Sequence, residues 1–288
     1  MLRGLYTAAA GMITQQRRHD TVTNNISNVN TPGFKQVNVI SRSFPDMLLD
    51  LTGIEGDKPK RIGILNTGVF AEESLLAHQQ GDLSSTGRLS DFAIMSDIEV
   101  DGMAFDESGK FVAPNGEITY QPQAFFTVED RNGEVRYSRD GTFTLNDEGF
   151  LVTSDGSFVL GMNDAPIQFA PGTAIEQLSL TREQRFVDNA TGLDTGMQLQ
   201  ISRIENPNKL INEGNGKFRL EGENNLVQLV EANDRFEVRQ GFIERSNVDA
   251  TQAMVDLMSA LRAYESNQKM VQYYDKSLEK AVNEVGRV

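Results

Sequence analysis

Both ends of the chain carry the same seven-residue beat. Leu5, Met12, His19 and Ile26 keep it near the N-terminus; Leu257, Tyr264, Val271 and Leu278 keep it near the C-terminus. Such a repeat is the narrow seam of a coiled coil, not the broad apolar stripe of a helix lying on a large core. A seam this narrow at the end of a chain needs a partner, and each end is the natural partner of the other. The first helix places Leu5, Ala8, Ala9, Met12, Val22, Ile26 and Val29 at steps of three and four. It stops in a run of Asn24, Asn25, Asn28 and Asn30 and leaves through Thr31-Pro32-Gly33-Phe34, where proline ends a helix and glycine permits a sharp exit. The second starts at Asn247 or Asp249, either of which is a good cap, adds Met254, Leu261 and Val282, and meets no proline before Val288. At 1.5 Å per residue it predicts a rod of roughly 60 Å.

Between these ends the pattern changes to β. In residues 125–161, Asn132-Gly133, Asp140-Gly141, Glu148-Gly149 and Asp155-Gly156 punctuate short alternating runs. Asn-Gly and Asp-Gly are strong hairpin signals, since type I′ turns need positive φ at both central residues. The stretch predicts an antiparallel meander whose buried face holds Phe125, Val128, Val135, Tyr137, Phe143, Leu145, Phe150, Val152, Phe158 and Leu160. Further strands are expected over 164–185 and 197–221, and an extra loop or hairpin over 94–122. The fold class is therefore α+β: N- and C-terminal helices pairing as a coiled-coil-like domain, with a central antiparallel all-β domain inserted between them. The expected divisions are 1–35 (helix), 36–88 (extended connector), 89–226 (β domain), 227–246 (return connector) and 247–288 (helix). In the first connector, Val37–Ile40 reads as a strand, Phe44–Leu49 as the start of a brief helix, Gly53–Gly63 as a charged mobile loop and Ile64–Glu72 as another extended piece.

Composition removes several functions. The chain has no cysteine, which excludes disulfides, thiolate metal sites and cysteine nucleophiles. The net charge of −14 argues against nucleic acid and anionic membrane surfaces. The mean hydropathy of −0.39 and the lack of a long apolar run argue against membrane insertion. No cleavable leader is expected. His19 and His78 are far apart, and His19 reads as a packing residue on the helical seam. Asp101-Gly102 and Asp147-Glu148-Gly149 lack calcium-loop spacing, and no phosphate loop or hydrolase motif is present. No cofactor, metal site or enzymatic constellation is expected.

The motifs themselves carry a resemblance. LYTAAAGM (5–12) followed by NNISNVNTPGF (24–34) resembles the N-terminal signature of the flagellar basal-body rod and hook protein family. GFIERSNVDATQAMVDLMSALRAYESNQKMVQYYDKSLEKAVNE (241–284) is similar to that family's C-terminal segment. GEVRYSRDGTFTLNDEGFLVTSDGSFVLG in the middle resembles its β-domain core, and IENPNKLINEGNGKF (204–218) its later asparagine-proline segment. The likeness is greatest to the shorter, rod-like members of Gram-positive bacteria. One departure stands out: between SDFAI (90–94) and Phe125-Phe126 this chain inserts roughly 28 residues where family members commonly pass straight on.

The resemblance implies an axial structural subunit of the flagellar rod. It would leave the cell unfolded through the flagellar export apparatus, without a cleaved signal peptide, and polymerise with copies of itself and homologous rod and hook subunits. The helical tube so formed transmits torque and encloses the export channel. The asparagine run has two readings, helix termination and a polar lattice between subunits, and the family motif tilts it towards the second. The expected assembly surface comprises Leu5, Ala9, Met12, Val22, Asn24, Asn25, Ile26, Asn28, Val29, Pro32, Gly33 and Phe34, with Asn247, Val248, Met254, Leu257, Leu261, Tyr264, Asn267, Val271, Leu278 and Val282. A single partner helix offers the N-terminal seam few apolar side chains, so both termini are expected to order only among neighbouring subunits. The alternative, from another class, is a secreted carbohydrate- or cell-wall-binding β-domain oligomerised by its terminal helices; the absence of tryptophan weighs against it.

Overall fold

The computed structural model describes residues 2–51, 60–98, 100, 102–106, 109–170, 172–222, 227–230 and 235–285. The chain forms two compact units. One comprises Met1–Ser27, Val37–Leu75 and Asp249–Val288; the other comprises Asn28–Gln36 and Leu76–Val248. The expected connector 36–88 is thus shared between the two units, and 28–36 and 227–246 belong with the β unit.

The helical unit holds α1 (Leu2–Ser27) and α2 (Ala250–Lys280), followed by a π-helical turn over Ala281–Val285. At 31 residues, α2 is about 46 Å long, shorter than the expected rod. Asp249 caps it, its carboxylate accepting from the amides of Thr251 (2.7 Å) and Gln252 (3.1 Å). The helices pack antiparallel: Gly4 lies against Tyr274, Gly11 against Asn267, and Arg18 pairs with Asp256 at 3.1 Å. Another side of α1 meets a strand pair, Val37–Ser43 with Val69–Leu76. There the Thr7 hydroxyl donates to Thr67 O (3.3 Å), Thr14 to Val69 O (3.5 Å) and Arg17 to Ala71 O (3.3 Å). Residues 47–49, the end of the stretch Phe44–Leu49 expected to start a brief helix, lie instead in a strand, Met47–Leu51, paired with Lys60–Leu65. Pro45 disfavours helical backbone at Phe44, and an extended partner is at hand. Of the expected charged loop Gly53–Gly63, residues 53–59 lie outside the described residues, and 60–63 belong to the strand Lys60–Leu65 rather than to a loop.

The β unit is built on the strand Gln123–Glu129, which pairs antiparallel with three others: Val135–Ser138, Phe158–Val159 and Ile201–Ile204. The sheet order runs Phe143–Leu145, Leu151–Thr153, Phe158–Val159, Gln123–Glu129, Val135–Ser138, Lys217–Leu220, Leu210–Gly214. A separate three-stranded sheet covers Leu178–Leu180, Arg185–Asp188 and Asp194–Gln198. The inserted segment forms a hairpin, Lys110–Val112 with Ile118–Tyr120.

Both faces of the central strand are covered. Ala124, Phe126 and Val128 enter the main core with Phe92, Ile94, Phe143, Leu151, Val159 and Phe186; Phe125 enters a second core with Tyr137, Ile204, Leu210 and Phe218. The single buried face expected from alternation is therefore corrected. Phe126, Leu151 and Val159 belong to the main core, Phe150 and Phe158 pair half-buried at 5.3 Å, and Val135 is 46% exposed.

The turns also differ from the type I′ expectation. Gly133, Gly149 and Gly156 take φ of 78°, 83° and 85°, whereas Asn132, Glu148 and Asp155 stay at negative φ. Each glycine amide closes the turn on a carbonyl three residues earlier: Asp130, Asn146 or Thr153, at 2.9–3.0 Å. These are three-residue loops that end in a left-handed glycine. Gly141 serves a different purpose. Its φ is not positive, and a Cβ there would stand 1.8 Å from the Phe92 carbonyl oxygen, where the strand Phe92–Ser96 passes. Gly133→Ala should cost about 1 kcal/mol for the positive φ, and Gly141→Ala at least ~2 kcal/mol for the backbone collision; urea unfolding of the two variants checks the order.

Candidate assembly site and the buried charge cluster

The helix pair is a close approach of small residues. A Cβ on Gly4 would lie 2.2 Å from the Tyr274 hydroxyl oxygen, and one on Gly11 3.1 Å from the Asn267 amide nitrogen. Ala8, Gly11, Thr14 and Asn25 are the buried positions of α1, and Ala253 and Ala260 those of α2. The α1 series that meets α2, Gly4–Gly11–Arg18, thus runs one residue ahead of the apolar series Leu5–Met12–His19–Ile26. Leu5, Ala9, Met12, Val22 and Ile26 are half-buried, as are Leu257, Tyr264, Asn267, Val271 and Leu278. Met254, Leu261 and Val282 are exposed at 54%, 45% and 72%. They share that condition with Val255, Met258, Met270 and Tyr273, so much of the apolar surface of α2 has no cover within the chain.

The asparagines divide by role. Asn24 is exposed and Asn28 half-buried. Asn25 is buried and brackets the Val37 peptide, donating to its oxygen (2.8 Å) and accepting from its nitrogen (3.0 Å). In the β unit Asn247 accepts from the Gln36 amide (2.7 Å) and donates to Ala77 O (2.8 Å) and Gln79 O (3.0 Å). Both amides are therefore engaged with the chain's own backbone. Val29 and Pro32 are half-buried, while Gly33, Phe34 and Val248 are buried in the β unit. Gly33 takes φ of 67°, and a Cβ on it would lie 2.6 Å from the Arg139 carbonyl carbon.

That close approach leads into a cluster that sequence reasoning missed. Lys35 Nζ lies 2.6 Å from Glu244 Oε1 and also donates to Gln79 O at 2.9 Å. The Gly81 amide donates to the same carboxylate oxygen at 2.9 Å. Arg139 Nε stands 3.5 Å from Glu244 Oε2, and the rest of its guanidinium reaches Ser96 Oγ (3.1 Å), Gln123 Oε1 (3.0 Å) and Ile94 O (3.4 Å). It also lies 5.4 Å from the Phe125 ring centroid. Lys35, Arg139 and Glu244 side chains are 0–1% exposed. The available signal was slight: Arg139 and Glu244 lie inside quoted motifs and Lys35 directly follows one.

Burial pulls the Lys35 ammonium down to about 8, against the opposing pull of Glu244. Burial pushes Glu244 the other way, but Arg139, Lys35 and the hydrogen bonds from Lys35 and Gly81 outweigh it and hold the carboxyl below its ordinary range. Next to the cluster, burial brings His78 down to about 3, helped by the charges of Lys35 and Arg139. The imidazole is thus neutral over the ordinary pH range.

Three segments match models of known families. Residues 5–35 match the flagella basal body rod protein model, 121–193 the D1 domain of the flagellar hook proteins FlgE/F/G, and 239–284 the C-terminal model of the basal body rod FlgEFG proteins. Lys35, Arg139 and Glu244 come one from each. Among full-length relatives, the flagellar hook-basal body complex protein FlhO of Bacillus subtilis is 33% identical over 297 positions, spanning all of both chains. The basal-body rod protein FlgG of Borreliella burgdorferi is 29% identical, over 96% of this chain and 97% of its own. FlgG of Bacillus subtilis is 28% identical, over 98% and 99%. The class defined by fold and termini is a structural α+β protein, with helices at its two ends and antiparallel strands between. More narrowly, the chain belongs to the flagellar basal-body rod family, whose members are structural components of the flagellum and not enzymes. Among the described residues, no helix is long and apolar enough to cross a membrane.

Removing one partner of the cluster should separate its members. Glu244→Gln leaves two buried cations unpaired and is expected to cost the β unit about 3–5 kcal/mol. Lys35→Met leaves Glu244 with Arg139 and should cost less; equilibrium denaturation compares the two. The pH dependence has a fixed sign. His78 holds a proton below 6.5 when unfolded but only below about 3 when folded, so its contribution is complete above pH 6.5 and is lost as pH falls towards 3. Glu244 acts in the same direction. His78→Gln should flatten the stability profile between pH 6.5 and 3 by an amount on the order of a few kcal/mol; thermal melts across that range measure it.

Proposed function

We propose that this protein is an axial subunit of the flagellar rod that assembles, with copies of itself and homologous rod and hook subunits, into a helical tube. The tube encloses the export channel and carries torque. The subunit reaches it through the flagellar export apparatus, without a cleaved signal peptide. The observation that carries this reading is the uncovered apolar surface of α2, with Met254, Val255, Met258, Leu261, Met270 and Tyr273 each at least 45% exposed. A run of exposed apolar side chains along one long helix is the kind of surface that marks an interaction site. Within a subunit, α1 and α2 act as a coiled-coil pair along the Gly4–Gly11–Arg18 series. Between subunits, Met254, Leu261 and Val282 supply the contacts, in a heterologous arrangement that repeats along the tube. Asn24, Asn28 and Pro32 extend the contact at the exit of α1. The relatives' names, FlhO and FlgG among them, support the same place in the flagellum.

In the isolated monomer the two helices would then be weakly held, since they bury few large apolar side chains between them. Two measurements test the reading. Met258→Glu with Leu261→Glu should change monomer stability by less than about 1 kcal/mol, since both sites are exposed, yet reduce incorporation into basal bodies by more than tenfold; normal incorporation overturns the proposal. Hydrogen exchange on dilute monomer should find residues 5–29 weakly protected, and strong protection there would remove the argument that order comes from neighbours.

A further inference from the structure

The uncovered surface of α2 carries two methionines on one stripe. Met254 and Met258 are 54% and 52% exposed, and with Leu261 they stand at i, i+4 and i+7. The stripe is turned about 100° from the buried Ala253 and Ala260, which directly precede Met254 and Leu261. Both thioethers therefore meet water in the free subunit. The chain contains no cysteine and no tryptophan, so its thioethers are its most easily oxidised groups.

We infer that Met254 and Met258 form an oxidation site, and that their conversion to the sulfoxide by a hydroperoxide blocks assembly. The inference rests on the assembly reading above, in which this stripe meets a neighbouring subunit. A sulfur lone pair attacks one oxygen of hydrogen peroxide. The S–O bond forms as the O–O bond breaks, and the proton on the transferred oxygen passes to the departing hydroxide, which leaves as water. Sulfur loses two electrons and the peroxide gains them. In the free subunit the new oxygen stays solvated, so the fold is unaffected. In a subunit contact the same oxygen must leave water, and an apolar neighbour gives it no hydrogen bond in return. Methionine suits such a contact for the reason that exposes it to damage. Its unbranched, polarisable chain fits irregular neighbours, and oxidation turns that chain polar and chiral. Methionine sulfoxide reductases restore the thioether, so the block is reversible.

The test follows subunits synthesised, with an isotope label, during a pulse of hydrogen peroxide given to whole cells. Mass spectrometry of the unincorporated pool should find about 16 Da added at both Met254 and Met258. Labelled wild-type subunit should enter basal bodies about tenfold less than without peroxide, and overproduced sulfoxide reductases should restore it. The Met254→Leu/Met258→Leu variant should enter equally with and without peroxide. Purified monomer should keep its melting temperature after oxidation. Absence of sulfoxide at both positions, undiminished entry of the oxidised wild type, failure of the reductases to restore entry, or an equal loss in the leucine variant overturns the inference. Should Met258→Glu/Leu261→Glu subunits assemble normally, the assembly reading has itself failed; should they be excluded while oxidised wild type enters, only this inference has.

Discussion

The contact on which the β unit most depends is the buried meeting of Lys35 and Arg139 with Glu244. Three charges removed from water carry a large desolvation cost, and their mutual attraction offsets it only when geometry and hydrogen bonds are good. Here Lys35 and the Gly81 amide donate to Glu244 Oε1, Arg139 Nε faces Oε2 as an ion pair at 3.5 Å, and Gln79, Ser96 and Gln123 accept from the other ends of the two cations. Such a network contributes little net stability over an apolar core of equal volume. What it does is specify an arrangement: residues 33–35, 139–141 and 242–245 meet in one register, since any other leaves a buried charge alone. Gly33 and Gly81 belong to the same logic. A side chain on either would strike the backbone at Arg139 or Arg245.

This specification falls where the chain needs it. Residues 28–36 follow α1 and residues 242–248 precede α2, and both segments are fixed inside the β unit. The segment leading out of one helix and the segment leading into the other are thus both built into the β unit. The helical unit is of the opposite kind. Its close contacts are between glycine, alanine and polar groups, so shape is specified while little apolar area is buried. The two units thus differ in kind, a well-packed β unit and helices that leave apolar surface uncovered.

The legibility of the sequence followed the range of the interactions. Helices at both termini, strands between them and the glycine punctuation of the meander are local, and periodicity carries them. The turn type was not, because Asn-Gly serves both the two-residue loop and the three-residue loop ending in glycine. The face of the central strand was half legible: alternation identified Phe125 but not Phe126, since a strand covered on both sides has no polar face to betray it. The helix seam was displaced by one residue for a related reason. Hydropathy marks Leu5 and Met12, whereas close packing favours Gly4 and Gly11, which apolar periodicity cannot weigh. The Lys35–Glu244 pair was invisible, its partners lying 209 positions apart.

The asparagines show why a motif and a function are not the same statement. In a run of four near a helix end, residue type alone does not distinguish a side chain that closes local backbone from one that reaches a neighbour. Asn25 and Asn247 satisfy buried peptide groups of their own chain; removing either leaves unpaired donors and acceptors, which is sufficient reason for the residue. Asn24, by contrast, is exposed. The division follows burial. Inward amides organise the exit of α1 and the approach to α2, while Asn24 faces water. An assembly surface in such a protein is then found by subtraction: of the residues in a terminal motif, those already engaged within the subunit are set aside, and those still facing water are the ones a neighbour can use.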